Sequence, residues 1–211
     1  MTDTETHTLP VWFVVMAWAA LSLMLNVLGV FATPPDQPPL ALLIAVIGPP
    51  IVFVVSYFFS ANVRTLALRL DLRLLTAMQA WRVVGAMFLV LLSFGFLPGT
   101  FAWPAGIGDL LVGAYAPFVV LAISRRTPGW HTHVVLLNVL GLLDFVGAIG
   151  GGVLSGRSPL GMLRGDVTTD LMQALPLSLI PTFAVPLWIV LHLISLIKLR
   201  HPQAAAKASA A

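Results

Sequence analysis

The chain has 211 residues, 59% of them hydrophobic and 9% charged, with a mean hydropathy of +0.98. A soluble domain carries about 25% charged residues, so polar surface is too scarce to coat a water-soluble globule, and lipid must be the solvent for most of the exterior. The net charge of +3 does not indicate nucleic acid, because the basic residues are scattered through short connecting segments; the lack of cysteine excludes disulfides, thiolate metal sites and a cysteine nucleophile.

Six apolar runs are each long enough, at about 1.5 Å per residue, to cross a hydrocarbon core of about 30 Å. They cover residues 11–31, 40–61, 77–97, 104–124, 134–154 and 175–197. Open strands would leave backbone groups unpaired in lipid, so the expected fold is an all-α polytopic transmembrane bundle of six spans. Residues 1–10 are expected to fray and residues 200–211 to form a disordered tail.

The first run ends in Val30-Phe31-Ala32, which resembles a signal-peptide cleavage site. Residues 1–10 hold no Lys or Arg, however, and the run exceeds a normal signal-peptide core, so a retained helix is expected. The Pro-rich connector 33–39 cannot continue a helix. Residues 62–76 place Val63, Leu66, Leu70 and Leu74 on one helical face, with Arg69 and Arg73 on another, and read as one interfacial amphipathic helix.

Leu97-Pro98-Gly99 is expected to end the third span and Trp103-Pro104 to open the fourth. With the N-terminus inside, the inner segments hold nine Lys or Arg residues, and the outer ones only Arg157 and Arg164. That asymmetry predicts both termini in the cytoplasm of a bacterial inner-membrane protein. Arg82 opens the third span, where it is expected to snorkel to inner headgroups or to pair with Asn138 or His192. Gln79 lies one turn before it.

Asp109 and Asp144 are the acidic residues placed at bilayer depth, and an ionisable group there needs a partner, a proton or water. Gly106 and Gly113 share a helical face with Asp109; Gly141, Gly147 and Gly151 share one with Asp144. Small residues let helices approach closely, so both carboxyls are expected in the bundle interior, within reach of each other or of shared partners. Asp144 is expected several ångströms deeper than Asp109, and Asp109 could instead cap its helix.

Asn26 and Asn138 are expected to hydrogen-bond between helices. His192 lies near the inner end of the sixth span, a position suited to proton relay, haem ligation or snorkelling. Pro181 and Pro186 should kink that span. Residues 155–174 form the longest outer connection, either a lid over an outer cavity or a solvated loop.

The stretches Ala105-Gly106-Ile107-Gly108-Asp109, Asn138-Val139-Leu140-Gly141-Leu142-Leu143-Asp144 and Ile180-Pro181-Thr182, with Leu191-His192-Leu193, resemble a family of small bacterial multi-pass membrane proteins of unassigned function over residues 77–199. The resemblance implies an inner-membrane setting and no activity.

Three functions follow as expectations. The first is passage of a small solute or ion, with Asp109, Asp144, Asn138, His192 and Arg82 forming the binding site. The second is a membrane enzyme or haem-type cofactor protein, the cofactor unspecified. The third is an assembly role, in which the Asp–Gly faces bind a second copy or another membrane subunit.

Overall fold

A computed structural model describes the backbone of residues 3–201 and the side chains of residues 11–201. Of the expected tail at residues 200–211, Arg200 still belongs to the last helix and residues 202–211 lie outside the described residues; of residues 1–10, expected to fray, the backbone is helical from Asp3 on. Among the described residues every regular element is helical.

Helix α1 spans Asp3–Val27, α2 Leu40–Phe59 and the short α3 Ala61–Arg69. Helix α4 runs over Leu72–Ser93, α5 over Gly99–Arg125, α6 over Trp130–Leu154 and α7 over Ile180–Arg200. Five helices, α2 and α4 to α7, are long and apolar enough to cross a membrane; in α1 the described apolar stretch is the shorter Val11–Val27. Large apolar side chains such as Phe13, Phe58, Phe59, Phe94, Phe118 and Val146 are more than half exposed. In water that surface would be a liability; in lipid it is a matched exterior.

Several boundaries differ from expectation, each for a local reason. The amphipathic segment is two helices, because Leu70 and Asp71 break it: the Asp71 carboxylate accepts the Arg73 backbone N–H at 2.7 Å and caps the start of α4. The third span ends at Ser93, where Gly95 turns the chain with φ of 72°. Pro98 is the N-cap of α5, so Pro104 lies inside that helix and does not open it. Asp109 is the eleventh residue of this helix, far past its first turn, so it is not a cap.

Two helices depart from α geometry. Residues Met78–Ala86 of α4 form a 3-10 segment of nine residues, where runs beyond three or four are uncommon. The sequence supplies a reason. Thr76, Gln79, Arg82, Gly85 and Phe88 recur every third residue and all are buried. At three residues per turn they stay in line; an α-helix would turn each about 60° from the last. In α7, Ile180–Ala184 is a π turn that begins with Ile180-Pro181. The widened turn stands where a proline kink was expected, and such turns are themselves sites of bending.

The bundle holds two apolar clusters at different levels. Phe88, Phe101, Ala102 and Ala105 pack with Met172 and Leu177 at one end of α5, while Val112, Ala116, Val119, Val134 and Leu137 pack along the other. A third cluster, with Tyr57, Leu75 and Ile194, joins α2 and α7 beside α3. Residues 28–39 and 155–179 meet on one side, where Arg157 O accepts Asp36 N–H at 3.3 Å and Gln173 Oε1 accepts Thr33 N–H at 2.8 Å. This is the loop side; α3 marks the opposite side, where Lys198 Nζ donates to the Leu68 carbonyl.

Helix α1 docks by polar contacts on the π turn. Thr182 Oγ1 accepts from Ser22 Oγ (2.9 Å) and Asn26 Nδ2 (3.0 Å) while donating to Ser178 O (2.7 Å). Trp18 meets Phe183 edge-on, with ring centroids 5.1 Å apart. Asn26 thus bonds between helices as expected.

Candidate functional site

Arg82 is fully buried at the centre of the bundle and collects partners from three other helices. Its Nε–H donates to Asp109 Oδ1 of α5 at 2.7 Å, and Nη2 donates to Asp144 Oδ2 of α6. Nη1 reaches Gly141 O of α6 at 3.3 Å and His192 Nε2 of α7 at 3.1 Å. The guanidinium carbon stands 4.0 Å from the centroid of the Phe145 ring, a cation–π contact.

The histidine's protonation follows from this wiring. Arginine offers only donors, so Nε2 must be the bare nitrogen. Nδ1 then carries the proton and donates to Asn138 Oδ1 at 2.7 Å, and Asn138 Nδ2 donates on to Val134 O at 2.7 Å. Both ring nitrogens of neutral His192 are engaged, which leaves none for an axial bond to haem iron.

Glycines allow this convergence. A Cβ on Gly85 would overlap the Asp109 side chain, one on Gly108 the Asp144 carboxyl, and one on Gly141 both His192 and Arg82. Gly106 and Gly113 lie against Leu89 and Val83 of α4, as their shared face with Asp109 predicts. Gly147 does not take part: a Cβ there meets nothing within 4 Å. The helices therefore approach closely at Gly108 and Gly141, and of Gly147 and Gly151 only Gly151 lies against α5, at the backbone of Thr100 and Phe101.

The expected difference in depth disappears. Asp109 is ten residues from the first residue of α5 and Asp144 ten residues from the last residue of α6. In antiparallel helices each therefore lies about 15 Å from the loop-side end. Placing the start of α5 at Pro104 rather than Gly99 accounts for the misjudged level. Along α5 Asp109 falls between Ala105 and Val112, which belong to different apolar clusters, so the charges occupy the seam between them.

Arg82 does not snorkel. A single guanidinium faces two carboxylates, and the three groups together carry one excess negative charge when both carboxyls are ionised. Two residues that the sequence did not mark are Phe145, which lies under Arg82, and Gly108, which admits Asp144. A position next to an aspartate shares no helical face with it, so the search for small residues on the Asp109 face passed over Gly108.

The cluster is open on its loop side. A cavity of about 380 Å³ descends from Thr33, Pro34, Arg157 and Asp170 to Asp109, between Phe88, Phe101, Phe145, Ala148, Ile180, Pro181 and Val185. Residues 155–174 thus form part of its wall. Arg157 and Asp170 pair across its mouth at 3.0 Å, and Thr169 Oγ1 fixes the wall by donating to Gly152 O at 2.6 Å. Towards the α3 side, Gln79 is buried with both amide atoms lacking a hydrogen-bond partner among the described residues.

A family described as a domain of unknown function, DUF8737, matches residues 39–200. The chain belongs to the DUF8737 family. The match takes in α2 to α7 and all members of the Arg82 cluster, and leaves out α1. No curated protein and no solved structure matches the chain.

Proposed function

We propose that this DUF8737 protein is a six-span bacterial inner-membrane protein that passes a small solute or ion across the bilayer. The α1 helix supplies the sixth span, both termini face the cytoplasm, and the loop side is external. The excess of Lys and Arg in the α3-side segments supports that orientation.

The observation that carries the proposal is that buried polar side chains recur on the α3 side of the cluster. Below Asp109, Arg82, Asp144 and His192, the buried polar residues are Gln79 and Thr76 on α4 and Ser195 and Lys198 on α7. These two helices pack against each other and lead to the α3 side. Thr76, Ser195 and Lys198 donate to backbone carbonyls, but Gln79 is buried with no partner among the described residues, a desolvation cost that an ion-pair clamp alone does not require. In this reading Asp109 and Asp144 attract and hold the passing charge. Arg82 keeps them from binding it too tightly, and His192 and Asn138 fix the arginine.

Purified protein in liposomes would be tested for entry of protons, sodium and tetramethylammonium under an imposed membrane potential. Flux above that of protein-free vesicles, lost in Asp144→Asn and Asp109→Asn, is the expected result. Wild-type flux no greater than that of empty vesicles for all three ions overturns the proposal.

A further inference from the structure

We infer that the loop-side cavity is a binding site for a lipophilic organic cation, an apolar body bearing one ammonium-type group, with the cationic end against Asp109. The inference rests on reading the cavity as the solute site, and it adds the chemical class of the occupant.

Three observations fix that class. The first is the wall: Phe88, Phe101, Ala148, Ile180 and Val185 offer an apolar sleeve, and 380 Å³ is within the range of pockets that enclose small organic molecules. A hydrated inorganic ion gains nothing from such walls, whereas an apolar body does.

The second is the floor. Asp109 is 7% exposed and lines the cavity. Its Oδ1 is taken by Arg82, while no hydrogen bond among the described residues reaches Oδ2. That oxygen, seated against Gly85, is an acceptor without a donor on a carboxyl that lines the cavity.

The third is charge. Around the floor stand Arg82 from α4, Asp109 from α5, Asp144 from α6 and neutral His192 from α7, with a net charge of −1 when both carboxyls are ionised. A cation at Oδ2 brings the cluster to neutrality; an anion doubles the imbalance in a medium where charge is weakly screened. At the mouth, Arg157 is already held by Asp170 and offers no free cation to receive an anionic end.

The test uses the full chain in lipid nanodiscs and equilibrium dialysis with radiolabelled benzylammonium, whose N–H groups can donate to Oδ2, with benzyl alcohol and phenylacetate as neutral and anionic competitors. The expected result is saturable binding near one cation per chain, weakened at least about tenfold in Asp109→Asn, with phenylacetate failing to compete. Ala148→Phe narrows the cavity from its wall and leaves Arg82, Asp109 and Asp144 in place, and should weaken binding to a similar extent. It keeps the test decisive should Asp109→Asn fail to fold.

Absence of saturable binding by the wild type, equal competition by phenylacetate, or undiminished affinity in folded Ala148→Phe overturns the inference. Equilibrium binding is separate from passage. Binding without ion flux removes the transport reading and leaves this assignment in place, while flux without benzylammonium binding does the reverse.

Discussion

Replacing Arg82 by methionine keeps a long side chain against Phe145 and removes the charge. The guanidinium makes two charge-assisted bonds to carboxylates and two further contacts, to His192 and Gly141. Hydrogen bonds to charged groups contribute about 1.5–3 kcal/mol each, but they do not add when the partners share one donor group. The better guide is the cost of stripping one partner from a buried pair, about 3–5 kcal/mol, most of which is the carboxylate left unpaired. A loss of about 3–5 kcal/mol is therefore expected for Arg82→Met, on condition that Asp109 and Asp144 remain.

That condition supplies the control. In the triple variant Arg82→Met, Asp109→Asn, Asp144→Asn no charge is stranded, so a large part of the loss should return, with a coupling of roughly 1–3 kcal/mol. Arg82→Lys should fall between the two, since an ammonium is one point charge and cannot span both carboxylates and His192 at once. Unfolding in mixed micelles with rising SDS, followed by tryptophan fluorescence, reads all four proteins; Trp188 stacks on Phe145 beside the cluster. A loss below about 1 kcal/mol for Arg82→Met, or a triple variant no more stable than the single one, would refute the stranded-charge argument.

Gly108→Ala pushes a methyl into the Asp144 carboxyl and should cost about 1–3 kcal/mol in the same SDS titration. Gly147→Ala meets nothing and should be neutral or stabilising by up to about 1 kcal/mol; equal effects at the two sites would remove the close-approach account. Thr182→Val takes away the hydroxyl that holds Ser22 and Asn26, so α1 should detach first, seen as faster proteolysis within residues 28–39. Unchanged cleavage there would place the docking energy of α1 elsewhere. Burial raises the Asp71 carboxyl, but the hydrogen bonds and charge of Arg73 outweigh it and hold the group below its ordinary value of 3.8. The cap should therefore stabilise α4 above that value and lose its contribution as pH falls through the lowered one. Asp71→Ala should remove about 0.5–2 kcal/mol at neutral pH and flatten the acid limb of the stability curve; an unaltered acid limb argues against the cap.

The helices were legible because a span needs only length and apolarity, and the five long ones coincide with predicted runs. Asp109 and Asp144 were legible too, since a carboxyl inside an apolar run must face the interior, and their glycine neighbours showed which face packs. Arg82 was half legible: its contact with His192 was one of two expectations, while its pairing with the two carboxyls was not foreseen because an arginine near the start of an apolar run ordinarily reaches the headgroups. Nothing in hydropathy distinguishes that from an arginine drawn inward by two carboxyls on helices 27 and 62 residues later in sequence. The start of α5 was misplaced because Pro104 is a good first-turn residue, although this helix forms one turn before it.

The 3-10 segment joins these misreadings. Sequence periodicity is sought at 3.6 or 2.0 residues, and a column repeating every third position matches neither. Yet Arg82 and Gly85 both meet Asp109 from one face in that geometry. Arg82 needs the empty position at Gly85, one turn on, to let Asp109 approach its Nε, and a 3-10 turn sets the two directly in line. Relaxing the segment to an α-helix would turn Gly85 about 60° away from Arg82 and bring a larger neighbour against α5. The poorer hydrogen-bond geometry of nine 3-10 residues is thus offset by the ion pairs it permits. A variant that strands or removes the charges should let the segment revert. In Arg82→Met, Asp109→Asn, Asp144→Asn, an α-helical α4 would be about 4–5 Å shorter over these nine residues, a change measurable between spin labels at Ala77 and Met87. An unchanged distance would mean that the 3-10 geometry is set by packing against α5 and not by the charges.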